Sequence, residues 1–249
     1  LGLMTAQILL ANGCRVLGME LDPHRLDLAK AFGIETVDIA AGSDPITAGL
    51  AFSDGRGVDA VIITATTKSS DPVHQAAQMS RKRGRIVLVG VTGLELSRAD
   101  FYEKELTFQV SCSYGPGRYD EKYEQGGQDY PFGFVRWTEQ RNFEAVLALL
   151  KSRKLSVKPL ISKYMPQLEA AEAYRLLIED HTLLGVLLTY PEKGVDQSHT
   201  IRTREAIPVS LSIAQRPVVG VIGAGNFAER IMLPALKKTS AFLKTIASG

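Results

Sequence analysis

Residues 14–35 read CRVLGMELDPHRLDLAKAFGIE, and the succession of residue types within them decides the fold. Arg15 to Glu20 has the pattern of a short strand that ends on an acid, and His24 to Phe32 reads as a helix. Upstream, Leu3 to Ala11 reads as another helix, with Gly13 just past it, where a left-handed cap residue is expected. Downstream, Val58 to Thr64 and Arg85 to Val91 read as further strands. Helices alternating with short β-branched runs specify an α/β fold with a mostly parallel sheet.

In dinucleotide-binding sheets of this kind, an acid at the carboxyl end of the second strand accepts hydrogen bonds from the adenosine ribose, about 20 residues past a glycine-rich turn. Eighteen residues separate Gly2 from Glu20. That spacing suits the last glycine of a GxGxxG turn, the one that lets helix and strand pack closely. The first two glycines and the strand before them would then precede Leu1. Either residue alone is commonplace in such a position; the order of elements that follows gives the pair its weight. The expected fold is a Rossmann-like doubly wound parallel sheet lacking its first strand.

Several classes are excluded by the totals. The chain has 249 residues, 45% hydrophobic and 22% charged, with a formal net charge of +2, the balance of an ordinary globular protein. Basic residues are scattered among acids, so the footprint of a nucleic-acid binder is missing and a small-molecule partner is expected. Cys14 and Cys112 show neither CxxC spacing nor a nearby histidine pair, which gives no disulfide framework and no metal cluster and suits a reducing cytoplasm. No apolar run reaches the roughly 18 residues of a membrane span. The opening LGLMTAQILLANGC lacks the basic leader of a signal peptide and runs directly into a strand pattern.

Three fragments, CRVLGMELDPHRLDLAKAFGIE, GVDAVIITATT and GRIVLVGV, resemble successive parts of the cofactor domain of medium-chain, zinc-type alcohol dehydrogenases. The later KSRKLSVKPLISKYMPQLEAAEAYRLL resembles that family's return to its catalytic domain, so the likeness runs from Gly2 to about Tyr190. It implies that Glu20 holds the ribose and that Arg25 lies near the same adenosine end. Glu20 would repel a 2′-phosphate, favouring NAD over NADP and disfavouring a zinc-free, NADPH-using quinone reductase. The backbone at Val89, Gly90 and Val91 would line the nicotinamide side. Thr64 to Thr67 stands where the family often has Cys-Thr-Gly. Two plainer readings stay open: Arg25 as a solvated helix residue, and Val89 to Val91 as ordinary buried strand.

Residues 112–142, CSYGPGRYDEKYEQGGQDYPFGFVRWTEQRN, have no period of 2 or 3.6 and read as a long loop rich in Gly, Pro and aromatics. One reading makes Tyr114, Arg118 and Trp137 contacts to a polar, sugar-like substrate, with Arg118 forked onto a carboxylate or phosphate. The other makes the stretch an aromatic minicore or a subunit contact, and a homo-oligomer is allowed. SYGPGRYD and DYPFGFVRWTE also resemble bacterial two-part oxidoreductases associated with surface polysaccharide synthesis.

Residues 191–216 read as a linker with one or two short strands. Then VVGVI reads as a buried strand, GAGNFA matches GxGxxA, and ERIMLPALKK continues as a helix. Gly223 allows the tight turn, Gly225 lets the backbone approach a pyrophosphate, and Ala228 permits close packing. The helix amides from Asn226 and Phe227 onward would hold the phosphates. The stretch resembles the start of the Gfo/Idh/MocA oxidoreductases, so residues 217–249 are expected to be the first βαβ of a second Rossmann domain. FLKTIASG shows no ribose-reading acid, leaving NAD or NADP open there, and that family's Glu-Lys-Pro motif does not occur. The expectation is a fragment of a fused NAD(P)-dependent dehydrogenase, inactive and poorly stable alone, acting on an alcohol or carbonyl such as a sugar or sugar nucleotide. Its catalytic groups and any zinc ligands would lie outside these residues. The alternative is a non-catalytic nucleotide-binding sensor or scaffold.

Overall fold

The computed structural model describes residues 1–180, 182–191 and 216–247, in two compact units, Leu1–Tyr190 and Pro191–Gly249. The first unit opens with α1 (Gly2–Ala11), β1 (Leu17–Glu20), α2 (Pro23–Ala31), β2 (Glu35–Asp38) and α3 (Pro45–Phe52). It continues through β3 (Val58–Ile63), α4 (Asp71–Met79), β4 (Ser80–Leu88), α5 (Arg98–Tyr102) and β5 (Thr107–Val110). β1 pairs in parallel with β2. β3, β4 and β5 form a second parallel sheet in that order. The halves, β2-β1 and β3-β4-β5, reproduce the doubly wound order 3-2-1-4-5-6 without its strand 1. This is the Rossmann-like α/β architecture expected from the alternation of elements.

Local chemistry sets the helix starts. α2 begins at Pro23, one residue before the expected His24, because Asp22 caps it by accepting from the His24 amide. Asp44 does the same for α3, accepting from the Thr47 amide at 2.8 Å, with Pro45 in the first turn. Proline is tolerated there because its missing N–H would be unpaired anyway. After α1, Gly13 takes φ +82° and its amide reaches the Leu10 carbonyl at 2.9 Å, the left-handed stop foreseen from sequence.

Packing is densest around β3, β4 and α4, where Ile63, Val73, Ala76, Ala77, Ile86 and Leu88 form the buried cluster. Burying Ile86 or Val73 contributes about 1.5–3 kcal/mol each. Lys104 closes the far end of α4, its Nζ donating to the Ala77, Gln78 and Ser80 carbonyls at 2.6–3.0 Å. β4 departs from expectation by starting at Ser80. Val58 faces Ser80 and Ala60 faces Arg85, so the charged residues between are looped out of the ladder, where no apolar alternation could announce them.

The first unit ends with α6 (Glu121–Glu124), α7 (Glu139–Lys151), β6 (Lys163–Pro166), α8 (Ala170–Glu179) and β7 (Val186–Thr189), with β6 and β7 parallel. Buried Gln7 ties α1 to this part, accepting from the Ser156 amide at 2.8 Å and donating to its carbonyl at 3.2 Å. In the second unit β8 (Val218–Ile222) pairs in parallel with β9 (Phe242–Ala247). The helix between them widens into a π-helical stretch, Ala228–Met232, before α9 (Leu233–Lys237). Pro234 is the cause: it offers no amide, and its ring would strike the carbonyl four residues back in a regular helix. The expected linker falls mostly on 192–215, outside the described residues, as do Ser248 and Gly249. No helix among the described residues is long and apolar enough to cross a membrane.

Candidate functional site

Glu20, Gly2 and Gly90 all stand where chain leaves the parallel sheets of the first unit or enters α1. Glu20 is the last residue of β1. Its Oε1 accepts from the amides of Leu21 at 2.8 Å and Asp22 at 3.3 Å, which fixes the carboxylate on the turn. Its Oε2 lies 3.7 Å from Arg25 Nη1, so the structure brings together the two residues that the sequence placed at the adenosine end. Arg25 Nε is buried without a hydrogen-bond partner, 3.5 Å from Asp22 Oδ2. The half-exposed carboxylate keeps lone pairs free to accept from vicinal hydroxyls.

At Gly2, the first residue of α1, a Cβ would lie 2.9 Å from Thr64 Oγ1, so the helix N-terminus abuts the exit of β3. No acid occupies the first turn of α1, leaving the positive end of the helix dipole to an anion from outside. Beyond β3 and β4 the chain continues as a paired ledge. The Val89 and Gly90 amides both donate to the Ile63 carbonyl at 2.9 Å, Val91 donates to Ala65 at 3.0 Å, and Thr67 donates back to Val91 at 2.8 Å. A Cβ on Gly90 would sit 2.1 Å from the Ala65 oxygen, so only glycine allows the two segments to touch. β4 ends at Leu88 and Val91 is 67% exposed; these three residues line a surface instead of filling a core. Thr64 and Thr66, from the stretch Thr64 to Thr67 noted in the sequence, lie in this ledge, Thr66 bridged to Val91 and Thr64 against Gly2.

The aromatic stretch also starts at this edge, since the Ser111 amide donates to the Leu88 carbonyl at 2.8 Å. It is more ordered than a loop: α6 lies within it and its last residues are the first turn of α7. It caps α7, with Pro116 O accepting from the Glu139 amide at 2.8 Å and the Tyr123 hydroxyl from that of Gln140 at 3.1 Å. Tyr123 stacks on Tyr130 at 5.6 Å, and Tyr130 donates to Asp120. That bond holds the Asp120 carboxyl below its ordinary range and pushes the Tyr130 phenol up. Arg118 pairs with Glu124 and lies over the rings of Tyr119 and Tyr114, at 4.5 and 5.7 Å. The bond to Glu124 pushes its guanidinium up, so Arg118 is already committed to a carboxylate of its own loop. Tyr114 contacts Phe143 at 5.6 Å, while Trp137 packs on Arg136 at 3.9 Å.

In the second unit Gly223 takes φ +87°, the conformation of a tight turn after β8, and its amide reaches the Ala247 carbonyl at 2.7 Å. A Cβ on Gly225 would meet nothing within 4 Å, so the ground before it is open to a ligand. Asn226 and Phe227 begin the helix exposed, and Ala228 is buried. An open hollow of about 730 Å³ in the first unit, lined by Lys82, Arg98, Phe101, Tyr102, Glu103 and Glu105, lies by the start of β4, at the end of that strand opposite Gly90. Its charges are mixed, without a convergent donor set. Among the described residues no three His, Cys, Asp or Glu gather to hold a metal ion.

The arrangement is that of a Rossmann-like α/β fold, with Glu20 at the carboxyl end of β1, the Gly90 ledge beyond the carboxyl end of β4 and the α1 N-terminus against the exit of β3. The family described as zinc-binding dehydrogenase matches residues 1–125, half of the chain, and the chain belongs to that family. A curated NAD-dependent alcohol dehydrogenase of Sulfurisphaera tokodaii is 25% identical over 174 residues, 70% of this chain and 43% of that protein. Among solved structures, an alcohol dehydrogenase from Thermus sp. ATN1 superposes with TM-score 0.59 at 24% identity, over 76% of this chain and 48% of that one. A 2R,3R-butanediol dehydrogenase from Bacillus subtilis gives TM-score 0.57 at 25% identity, over 75% of this chain and 47% of that one. The chain therefore spans less than half the length of each of these three relatives.

Proposed function

We propose that the chain supplies the dinucleotide-binding part of an oxidoreductase that moves a hydride between NAD and an alcohol or carbonyl compound. The observation that carries this reading is Glu20, held by two backbone amides at the end of β1 with its second oxygen beside Arg25. The nicotinamide group supplies the hydride chemistry when bound. Glu20 would hold the ribose hydroxyls as hydrogen-bond acceptor, the α1 N-terminus would hold the pyrophosphate, and the ledge at Val89, Gly90 and Val91 would hold the nicotinamide end. Relatives named as alcohol and butanediol dehydrogenases support the substrate class. The narrower reading, a sugar or sugar nucleotide, rests on the resemblance of the aromatic stretch to two-part oxidoreductases. A second unit of Gfo/Idh/MocA type, with NAD or NADP, rests on the turn Gly223–Ala228.

Titration of the chain with NADH and NADPH, followed by nicotinamide fluorescence, tests this. Saturable NADH binding is expected, with NADPH much weaker. Glu20→Ala removes an acceptor worth about 1.5–3 kcal/mol to charged-group hydrogen bonds, hence weakens NADH about tenfold or more and leaves NADPH unchanged or improved. A Glu20→Ala chain that binds NADH as the parent does would sink the assignment.

A further inference from the structure

Three arginines lie in residues 112–142, and the structure treats them differently. Arg118 is paired with Glu124. Arg141 is paired with Asp129 and donates to the carbonyls of Val135 and Tyr130. Arg136 carries no ion pair or hydrogen bond among the described residues; its guanidinium lies over the Trp137 ring at 3.9 Å and the Phe132 ring at 4.8 Å. Asp120, the other acid engaged within this segment, is taken by Tyr130. Ring contacts orient a guanidinium without neutralising it, because the attraction of a cation to a ring face is only about 0.5–1 kcal/mol at an exposed site and uses none of its N–H donors. Arg136 is therefore a full positive charge held by apolar surfaces with its donor edge unspent, the arrangement that suits bidentate recognition of an oxyanion.

Its surroundings match a ligand that is part anion and part flat or ring-shaped. Phe132, Phe134 and Trp137 are exposed, Phe134 to 91%. The segment holding them is anchored to α7 by the Glu139 amide on Pro116 O, the Gln140 amide on the Tyr123 hydroxyl and the Asn142 amide on Thr138 O, Thr138 itself being fully buried, so the patch is a built surface. The segment leaves the sheet at the same edge as the ledge, through the Ser111 to Leu88 bond.

We propose that Arg136, with Trp137 and Phe132, forms a binding site for the oxyanion group of a small molecule, a phosphate monoester or carboxylate whose body is a flat or ring-shaped group lying against the aromatic faces. Arg118, the arginine that the sequence pointed to, is excluded from that task by Glu124. Only the description of the ligand as a substrate rests on the dehydrogenase reading; the anion site itself stands apart from it.

Trp137 is the only tryptophan of the chain, so the site carries its own reporter. Tryptophan emission of the full chain would be followed on addition of methyl phosphate, acetate and chloride at constant ionic strength, with phosphorus NMR line width of methyl phosphate as a readout independent of the indole. The expected result is a saturable response to methyl phosphate or acetate and none to chloride, the stronger of the two naming the ligand class. Arg136→Gln should weaken it about tenfold or abolish it, Arg136→Lys should weaken it less, and Arg118→Gln should keep it. A response equal for chloride, or unchanged in both emission and line width in Arg136→Gln, would overturn the proposal. NADH titration of Arg136→Gln separates the two readings. Binding at the parent's affinity leaves the cofactor site intact while the anion site is lost; absence of NADH binding in the parent overturns the dehydrogenase reading and not the anion site.

Discussion

Two glycines show how differently one residue type can act. Gly90 touches the opposing segment so closely that the smallest side chain would overlap the Ala65 oxygen, at 2.1 Å. Gly90→Ala must push the ledge apart, at a cost of about 1–3 kcal/mol typical of overpacking, and should lower the melting temperature by several degrees while weakening NADH. Gly225→Ala in the second unit meets nothing within 4 Å and should melt like the parent to within about 0.5 kcal/mol. Equal melting temperatures for the two variants would show that the ledge is not under this constraint. Glu20 was legible from sequence as the acid that ends β1, because the strand pattern stops on it before Asp22-Pro23 opens a helix. Gly90 could not be weighed in that way: Val-Gly-Val looks like any strand until the Ala65 carbonyl is placed against it. Arg118 was visible as a cation, but its pairing with Glu124 depends on the turn of chain between them, and adjacency of Arg136 to Trp137 was the unread signal.

At the scale of elements, the legible boundaries were those written in local chemistry. Asp22-Pro23 and Asp44-Pro45 each open a helix, a repeated cap-and-proline signal that would also have revealed α3. β2, with Val37 as the one large apolar residue among ETVD, and the charged start of β4 could not announce themselves, because neither shows an alternating face. The aromatic stretch was read as loop because its order comes from side chains, chiefly Tyr130 on Asp120 and Tyr123 at the head of α7. This makes its stability depend on pH in two directions. The bond lowers the Asp120 pKa below 3.8, so that contribution is present above 3.8 and is lost as pH falls through the lower folded value. It raises the Tyr130 pKa above 10.0, so that contribution is present below 10.0 and is lost as pH rises through the higher folded value. Tyr130→Phe should move the Asp120 titration toward its ordinary range, the Lys122 and Tyr123 amides still lowering it, and so weaken the acid limb of the segment's protection from proteolysis while removing the alkaline limb. An acid limb unchanged from the parent would mean that the bond is not what holds the segment.

Across the whole molecule, stability should be unevenly spread, because burial and pairing are. The buried cluster belongs to β3, β4 and α4, whereas β1 pairs with β2 alone among the described strands. In the second unit two strands and one helix bury only Val221 and Ala228 among the described hydrophobic residues, and every residue of β9 is exposed. A pair of strands with so little core is marginal in water, and cooperative units with few buried contacts open at small free-energy cost. The order of elements in the sequence made both sheet fragments legible; how little each buries depends on which edges find partners, which no local pattern records. Hydrogen exchange of the 249-residue chain should therefore show its slowest amides at Ile86, Val87 and Leu88, intermediate rates at Leu17 to Glu20, and rapid exchange at Val219 to Ile222. Thermal unfolding should be broad, with the second unit losing protection before the β3-β4-β5 sheet. Uniform slow exchange across all three regions, joined to a single sharp melt, would mean that the edges of β1 and β8 are stabilised by something other than the pairings and burial described.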